Sequence, residues 1–278
     1  MKRILLPTDF SDNAFEAIRY ALLAFKDIEC TFYLLHTYTP PIYHTEYLLG
    51  SPGQIGLGDI MHETSQTQLE QLQSSLENLY ENPKHTFKVH TAFNTLLGEI
   101  AETIENENIG LVVMGTKGAT GAKEILFGTN TVHVIKRAKC AVLAVPPKFE
   151  YEAPKEILFP TDYEIEYKKE NFDALLTIAE EHQSRINVMH VRTEFDLTST
   201  QEKHKLQLEK LLGDKALFHD MPDNEIIDAI NDFQLKEKIN LLVMVQNKHT
   251  FLERLFIEPV IKKIGFHITV PFMVIPQL

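Results

Sequence analysis

Four glycines lie in the segment MGTKGATGAKEILFGTNT, residues 114–131, directly after the apolar run LVVM. They occupy positions 115, 118, 121 and 128. Because glycine has no side chain, it can adopt positive φ angles and let the backbone approach a ligand closely. The first N–H groups of a helix lack an internal partner and lie at the positive end of the helix dipole. A glycine-rich loop that opens a helix is therefore suited to binding phosphate.

Polar side chains stand beside these glycines and after an earlier apolar run, ILLPTD. Thr129 and Thr131 would add hydroxyl groups to a phosphate site, and Lys117 could screen phosphate charge. Asp9 could bind a ribose, a base edge or a Mg²⁺ ion that accompanies the phosphates. The predicted nucleotide-binding residues are Pro7, Thr8, Asp9, Met114, Gly115, Lys117, Gly118, Gly128, Thr129, Asn130 and Thr131.

Each of these residues also has a structural explanation. Glycines after a strand are common turn residues, and a lysine in a loop is usually solvated. Asp9 with Ser11 could cap the first helix, and Thr129 could be an ordinary helix cap. We favour nucleotide binding because the residues converge on one predicted crevice. The glycine cluster at 50–59 lacks a complete phosphate motif and is interpreted as a mobile loop, with a lid or a partner-binding flap as alternatives.

Alternating strand and helix patterns position these residues. In residues 1–148, apolar runs predict strands at 3–8, 30–37, 86–93, 109–114 and 140–146. Apolar residues at three- and four-residue intervals predict helices after Ser11, through Leu69 to Leu79, at 96–107 and at 129–138. Four of the five strands are apolar throughout, which favours a parallel sheet covered by helices on both faces.

The same pattern occurs twice along the chain. ILLPTDF at 4–10 returns as ILFPTDY at 157–163, and LVVM at 111–114 returns as LLVM at 241–244. The chain is therefore predicted to be a tandem duplication.

The duplication predicts an α/β fold of two tandem doubly wound domains, 1–148 and 149–278, each able to bury its own core. We expect a five-stranded parallel sheet in each domain, in the order 3-2-1-4-5 with helices on both faces. In that order strands one and four are neighbours. Ligands bind at such reversal points, so the loops after these two strands should form the crevice.

The composition excludes several classes of partner. A formal net charge of -12 disfavours duplex nucleic acid and anionic membranes, which are bound mainly through Lys and Arg. Cys30 and Cys140 are too few for a disulfide framework, and the histidines show no metal-ligand spacing. The first apolar run is too short for a signal peptide, and none reaches transmembrane length. We expect a cytoplasmic protein with buried free thiols.

The glycine spacing resembles a known motif. Gly115-x2-Gly118-x9-Gly128-Thr129 matches the nucleotide motif G-x2-G-x9-G-[ST] of the universal stress proteins. Residues 4–21 are similar to the opening of those domains, and the resemblance extends over effectively the whole chain, as in tandem members of the family. It implies an α/β domain of the adenine-nucleotide-binding superfamily that binds ATP with a divalent ion, Mg²⁺ or Mn²⁺.

The resemblance also implies roles for the residues. Asp9 would serve the adenine or ribose side, and Gly115 and Gly118 the ribose and phosphate loop. The phosphates would contact Gly128, Thr129 and Thr131. Asn130 takes a position that is more often apolar in the family, and its backbone N–H is the expected contact.

The second copy departs from this motif. The aligned positions hold Val245, Lys248, Ile257 and Glu258. The β-branched residues resist positive φ and fill the space that a ligand needs, while a glutamate at a helix start competes with an anion. Asp162 is retained, but without its partners. We therefore predict one nucleotide per chain, bound in the first copy.

The sequence favours a regulatory, nucleotide-binding stress-response protein whose second domain is a structural partner and interaction surface. The final strands of the two halves are expected to pair into an intramolecular pseudo-dimer, as the family resemblance implies, with a homodimer as a further possibility. A slow ATP hydrolase is one alternative, with Asp9 as its acidic candidate, since no other general base or nucleophile is evident. A nucleotide-free interaction scaffold is the other.

Overall fold

The computed structural model describes residues 1–39, 57–117, 128–191, 196–221, 226–246 and 269–277. Gly118 of the predicted site and residues 50–56 of the second glycine cluster lie outside the described residues. The loop interpretation is wrong for residues 57–59 of that cluster, which are helical. So do Lys248, Ile257 and Glu258.

Ten strands and seven α-helices make up the described part of the chain. The strands are β1 (Lys2–Pro7), β2 (Cys30–Tyr38), β3 (His85–Phe93), β4 (Leu111–Gly115), β5 (Ala141–Val145), β6 (Glu156–Pro160), β7 (Arg185–Val191), β8 (Ala216–Met221), β9 (Leu241–Val245) and β10 (Phe272–Ile275). The helices are α1 (Asp12–Ala24), α2 (Leu57–Leu79), α3 (Leu96–Glu107), α4 (Thr129–Arg137), α5 (Asp173–Glu181), α6 (Ser199–Leu212) and α7 (Ile226–Glu237). Short 3₁₀ helices lie at Lys169–Phe172 and Gly213–Lys215.

The strands form one sheet of ten strands in the order β3-β2-β1-β4-β5-β10-β9-β6-β7-β8. The fold is therefore α/β, as predicted, but the predicted five-stranded sheet of each domain is corrected to one continuous sheet of ten strands. The two groups of strands are continuous because β5 and β10 pair with each other. Their pairing is antiparallel, with Leu143 opposite Met273, whereas the other neighbouring strands in the order run parallel.

Helices cover both faces of the sheet, as the apolar strands require. One core contains residues of α1, α2, α5 and α6, and the other contains residues of α3, α4 and α7. Neighbouring residues of one strand alternate between the two cores: Ile4 and Leu6 belong to the first, and Leu5 belongs to the second. Both faces of β1 are therefore buried, and polar groups that could contact a ligand lie only at the ends of this strand.

The two halves of the chain differ after their first strands. In the first half, α1 begins at Asp12, and the Ser11 hydroxyl caps it by accepting the N–H of Ala14. In the second half, α5 begins only at Asp173, after an irregular segment, residues 163–168, and a 3₁₀ turn, Lys169–Phe172. Tyr163, Tyr167 and Phe172 of this stretch are buried. Aromatic packing there replaces the first turns of a helix.

The connector that follows β5, residues 146–155, is held against α1. The Tyr151 hydroxyl donates to the carbonyl of Leu23 at 3.2 Å, and its ring lies 5.4 Å from the ring of Tyr20. Beyond the connector, the His182 ring lies 2.8 Å from the carbonyl of Ala24. Helix α1 therefore contacts both the connector and the second half of the chain. Among the described residues, no helix combines the length and apolar character needed to cross a bilayer.

Candidate functional site

The predicted crevice lies where β1 and β4 end. These strands are parallel neighbours, with Ile4 opposite Leu111 and Leu5 opposite Val112. The loops that leave their carboxyl ends therefore start at the same edge of the sheet. The Pro7-Thr8-Asp9 segment and Gly115 therefore leave the sheet at the same edge, and the start of α4 is bonded to Gly115.

The segment after β1 is a tight turn built by side chains. The Thr8 hydroxyl accepts the N–H of Phe10 at 3.0 Å, and Asp9 Oδ1 accepts the N–H of Ser11 at 3.1 Å. Phe10 has a φ of 61°, the left-handed region that a phenylalanine rarely adopts. Pro7 and Thr8 are buried, whereas Asp9 is exposed. Asp9 thus shapes the turn with one carboxylate oxygen while its side chain stays open to solvent.

Gly115 is contacted by α1. A Cβ on this glycine would lie 2.6 Å from Asn13 Oδ1, a distance that real Cβ contacts do not show. Asn13 Oδ1 also accepts the N–H of Lys117 at 3.0 Å, and its Nδ2 donates to the carbonyl of Val145 at 3.2 Å. Asn13 therefore holds the loop after β4, a role that the sequence analysis missed because its partners are distant in sequence.

The start of α4 is held against the end of β4. The N–H of Gly128 donates to the Thr116 carbonyl at 2.6 Å, and the Thr131 hydroxyl donates to the Gly115 carbonyl at 2.9 Å. Gly128 is the N-cap and makes no side-chain capping bond, and Thr129 and Asn130 are exposed. The alternative that Thr129 is the helix cap is wrong, since Gly128 is the N-cap and the helix begins at Thr129. At the start of α4, exposed side chains thus lie beside backbone N–H groups that donate no hydrogen bond to an N-cap side chain.

Other predicted residues differ in what their side chains do. Met114 is 6% exposed and packs in the core formed by α3 and α4, so its side chain is structural. Thr131 is 3% exposed, and its proton is committed to the Gly115 carbonyl. Lys117 is half-buried, and its backbone N–H is the group held by Asn13. The exposed side chains of the site are Asp9, Thr129 and Asn130.

His36 lies beside the turn after β1. Its ring centroid is 4.7 Å from that of Phe10, and its Nδ1 lies 2.7 Å from the hydroxyl oxygen of Ser65. Burial lowers the pKa of His36, and the charge of Asp9 opposes that shift. The His36 ring therefore packs against the side chain of Phe10, the left-handed residue of the turn. Its environment indicates a packing role.

The second half repeats the turn without the glycines. The Thr161 hydroxyl accepts the N–H of Tyr163 at 3.2 Å, and Asp162 Oδ1 accepts the N–H of Glu164 at 3.1 Å. Tyr163 has a φ of 56°, and its ring lies 5.1 Å from that of His190. The turn is therefore a property of the Pro-Thr-Asp sequence itself and does not require a nucleotide.

What surrounds the second turn is different. The Tyr167 hydroxyl lies 2.5 Å from Thr161 Oγ1, so an aromatic side chain reaches the threonine that corresponds to Thr8. Val245 ends β9 at the position that Gly115 has in β4, and it packs against the core. Both observations describe a second turn closed in by bulky side chains.

Within the described residues, no group of three or more His, Cys, Asp and Glu side chains could hold a metal ion. A cavity of about 330 Å³ lies between the start of α3 and the end of α4, lined by Thr95, Gly98 and Arg137 among others. It is at the opposite end of α4 from Thr129, so it is separate from the candidate site.

Comparison with known proteins matches the same part of the chain. The model of the universal stress protein family matches residues 1–146. The universal stress protein MJ0531 of Methanocaldococcus jannaschii is 30% identical over 155 residues, which cover 54% of this chain and 85% of that protein. The universal stress protein MJ0577 of the same organism is 32% identical over 156 residues, which cover 53% of this chain and 96% of that protein.

A likeness in fold extends further. The crystal structure of a universal stress protein from Archaeoglobus fulgidus matches 99% of this chain and 96% of its own, with a TM-score of 0.66 and 18% identity. This similarity shows a shared fold along the whole chain. The residues matched by the family model make up more than half of the chain and include the turn after β1, the loop after β4 and the start of α4. The chain belongs to the universal stress protein family.

Proposed function

We propose that this chain is a regulatory protein of the stress response that binds ATP at the carboxyl ends of β1 and β4. The observation that carries the proposal is the start of α4. Its first amides lack intrahelical partners by geometry, its N-cap is a glycine without a capping side chain, and Thr129 and Asn130 are exposed. Such a helix start attracts phosphate through its N–H groups and its dipole.

The proposed contacts follow from this arrangement. The phosphates contact the backbone N–H groups of Thr129 and Asn130, beside Gly128, whose own N–H donates to the Thr116 carbonyl. The buried Thr131 fixes the helix start to the Gly115 carbonyl. Asp9 serves the ribose or adenine side of the ligand. Gly118, the next residue in sequence after Lys117, is proposed to complete the phosphate loop.

A divalent ion would accompany the nucleotide. The phosphate oxygens of ATP supply much of the coordination of Mg²⁺ or Mn²⁺, so one exposed carboxylate such as that of Asp9 is sufficient from the protein. When bound, the ion would neutralise phosphate charge.

The second half is proposed to be a domain of its own, residues 149–278, that does not bind nucleotide. Val245 fills the position of Gly115, and Tyr167 reaches Thr161. The antiparallel pairing of β5 with β10 joins residues 1–148 to this domain as an intramolecular pseudo-dimer. We propose that the second domain contacts protein partners, and that each chain binds one nucleotide.

A charge at the first residue of α4 tests the site. In Thr129→Glu the carboxylate competes with phosphate for the helix start, while the helix itself tolerates an acidic residue there, which contributes about 0.3–1 kcal/mol. We expect equilibrium dialysis with labelled ATP and Mg²⁺ to give one site per chain in the wild type. Binding by Thr129→Glu should be at least tenfold weaker, about 1.4 kcal/mol.

Ser199→Glu is the matched control. Ser199 is the exposed first residue of α6, as Thr129 is of α4, so the variant adds the same charge at a helix start in the second half. It should bind ATP with wild-type affinity. Equal affinity in Thr129→Glu and Ser199→Glu would contradict the proposed site. Lack of saturable uptake by the wild type at millimolar ATP would leave the interaction scaffold as the function.

A further inference from the structure

Two side chains of α1 connect the loop after β4 to the connector between the halves. Asn13 Oδ1 accepts the N–H of Lys117, and Asn13 Nδ2 lies 3.4 Å from Glu16 Oε2. The same Glu16 oxygen accepts the N–H of Lys148 at 2.9 Å. The result is a chain of hydrogen bonds from Lys117 through Asn13 and Glu16 to Lys148, referred to below as the α1 bridge.

We propose that Asn13 is a positioning residue for nucleotide binding and that the α1 bridge transmits nucleotide occupancy to the connector. The inference rests on the proposed function, because it assigns regulation to the same site. Lys117 stands between two of the glycines of the predicted motif. A shift of its backbone therefore shifts the loop that is proposed to contact the ribose and phosphates.

Asn13 suits this position for chemical reasons. Its side chain is buried, with 7% of the residue exposed, and both ends of its amide are used. The oxygen accepts from Lys117, and the nitrogen donates to the carbonyl of Val145 and towards Glu16. An aspartate has no nitrogen to donate. An apolar residue would leave the N–H of Lys117 without its acceptor, which is costly, and the Val145 carbonyl would keep only the N–H of Thr116.

Glu16 holds the other end. Lys148 has a φ of 62°, a left-handed conformation that a lysine adopts only when its surroundings enforce it. The Glu16 carboxylate is the group that receives its N–H. Residues 13 and 16 lie three apart on α1 and so share one helix face. A movement of the loop at Lys117 is therefore communicated to the first turn of α1 and from there to the connector.

Among the described residues, the second half shows no such arrangement. Its corresponding helix, α5, begins at Asp173, and residues 163–172 form the irregular segment and 3₁₀ turn instead of the first turns of a helix. In the part of the chain that the structure describes, such a bridge therefore accompanies only the half that is proposed to bind nucleotide. This asymmetry is expected if the bridge serves the nucleotide site, and it is not required by the sheet, which both halves share.

The test compares three variants in the full chain by ATP dialysis and by amide hydrogen exchange in NMR spectra. Asn13→Ala should weaken ATP binding at least about tenfold and speed exchange at Lys117, because the buried N–H loses its acceptor. Glu16→Ala should speed exchange at Lys148. Glu16→Gln retains an oxygen that can accept from Lys148 and should recover most of the protection lost in Glu16→Ala.

Asn82→Ala is the matched structural control. Asn82 makes the same kinds of bond elsewhere: its Oδ1 accepts the N–H of Lys84 at 3.0 Å, and its Nδ2 donates to the carbonyl of Lys26 at 2.7 Å. These bonds lie before β3, at the other end of the strands from the site. The control should lose stability but keep its affinity for ATP, which separates positioning from general destabilisation.

Transmission to the connector has its own measurement. ATP should slow exchange at Lys148 by at least about fivefold in the wild type and have no such effect in Glu16→Ala, the size expected for a coupling of this kind. Wild-type affinity in Asn13→Ala, or exchange at Lys148 that ignores ATP, would overturn the inference while the proposed function stands. Failure of the wild type and Asn82→Ala to bind ATP would instead refute the proposed function.

Discussion

The side-chain oxygen of Asn13 lies 2.6 Å from the place where a Cβ of residue 115 would stand, and its Cγ lies 2.8 Å away. Gly115 is thus explained by the close approach of α1 to the end of β4. From the sequence, the same glycine is predicted to let the backbone approach a ligand. The two explanations are compatible, because Asn13 also holds the N–H of Lys117 in the loop that is proposed to contact the nucleotide.

Replacement of Gly115 measures this approach. Gly115→Ala should lower the free energy of unfolding by about 1–3 kcal/mol, the usual cost of inserting a methyl group into packed space. Asn13→Ala removes the two nearest atoms, so the double variant should lose less stability than the sum of the single variants. The backbone oxygen of Asn13, 3.0 Å from the same point, leaves part of the cost in place. Urea denaturation of the four proteins measures the coupling, and strict additivity would show that the two residues do not interact.

Asp9 and Asp162 form a second matched pair. Each accepts the N–H two residues later at 3.1 Å, so replacement by alanine should cost each turn about 0.5–1.5 kcal/mol. Only Asp9→Ala should also weaken ATP binding, at least about fivefold on the scale of a lost charge-assisted hydrogen bond. Dialysis of both variants with ATP, followed by an assay of ADP release by the wild type and by Asp9→Ala, checks the proposed role of Asp9. Equal ATP affinity in the two variants would reduce Asp9 to a turn residue, and ADP release that depends on Asp9 would favour the hydrolase.

His36 should make stability depend on pH. Burial lowers its pKa in the folded protein below the ordinary value of about 6.5, so the unfolded chain binds more protons between the two values. The stability associated with neutral His36 is therefore complete above about pH 6.5 and is lost as the pH falls through the folded pKa. Denaturation at pH 7.5 and at pH 5.5 should show a smaller difference for His36→Asn than for the wild type. His133→Asn, an exposed position on α4, is the control and should keep the wild-type difference.

The two thiols should be unreactive in the folded protein. Burial raises the pKa of Cys30 and of Cys140 to about 12, so neither is a thiolate at neutral pH. With a disulfide reagent at pH 8, the native protein should release almost no chromophore within minutes, whereas the protein in 8 M urea should release two equivalents. Rapid reaction of Cys140, the less buried of the two, would indicate that the start of β5 opens in solution.

The elements were predictable because their signals are local. Apolar runs and helical spacing predicted a strand at 30–37 and a helix at 96–107, and the structure has β2 at Cys30–Tyr38 and α3 at Leu96–Glu107. Apolar spacing fails to predict burial where a helix extends beyond the elements that it packs against. Leu79 was placed on the apolar stripe of α2 but is 65% exposed, because it is the last residue of the helix.

The contacts that shape the candidate site join residues that are far apart in sequence, so no local sequence pattern predicts them. Asn13 meets Val145 across 132 residues of sequence, and no periodicity marks an asparagine that will be buried. The left-handed Phe10 was also missed, since a phenylalanine carries no signal for positive φ. Glycines can be singled out because the residue type is itself the signal. The close approach of Asn13 accounts for Gly115 without a ligand, and the sequence gives no sign of it.

The antiparallel join between β5 and β10 sets the direction in which each half presents its loops. All strands from β1 to β5 point one way, and those from β6 to β10 point the other. The rim that carries Asp9 and the rim that carries Asp162 therefore face away from each other, at opposite ends of the sheet. A protein partner that binds the loops around Asp162 would therefore leave the loops around Asp9, and the nucleotide site proposed there, accessible to solvent.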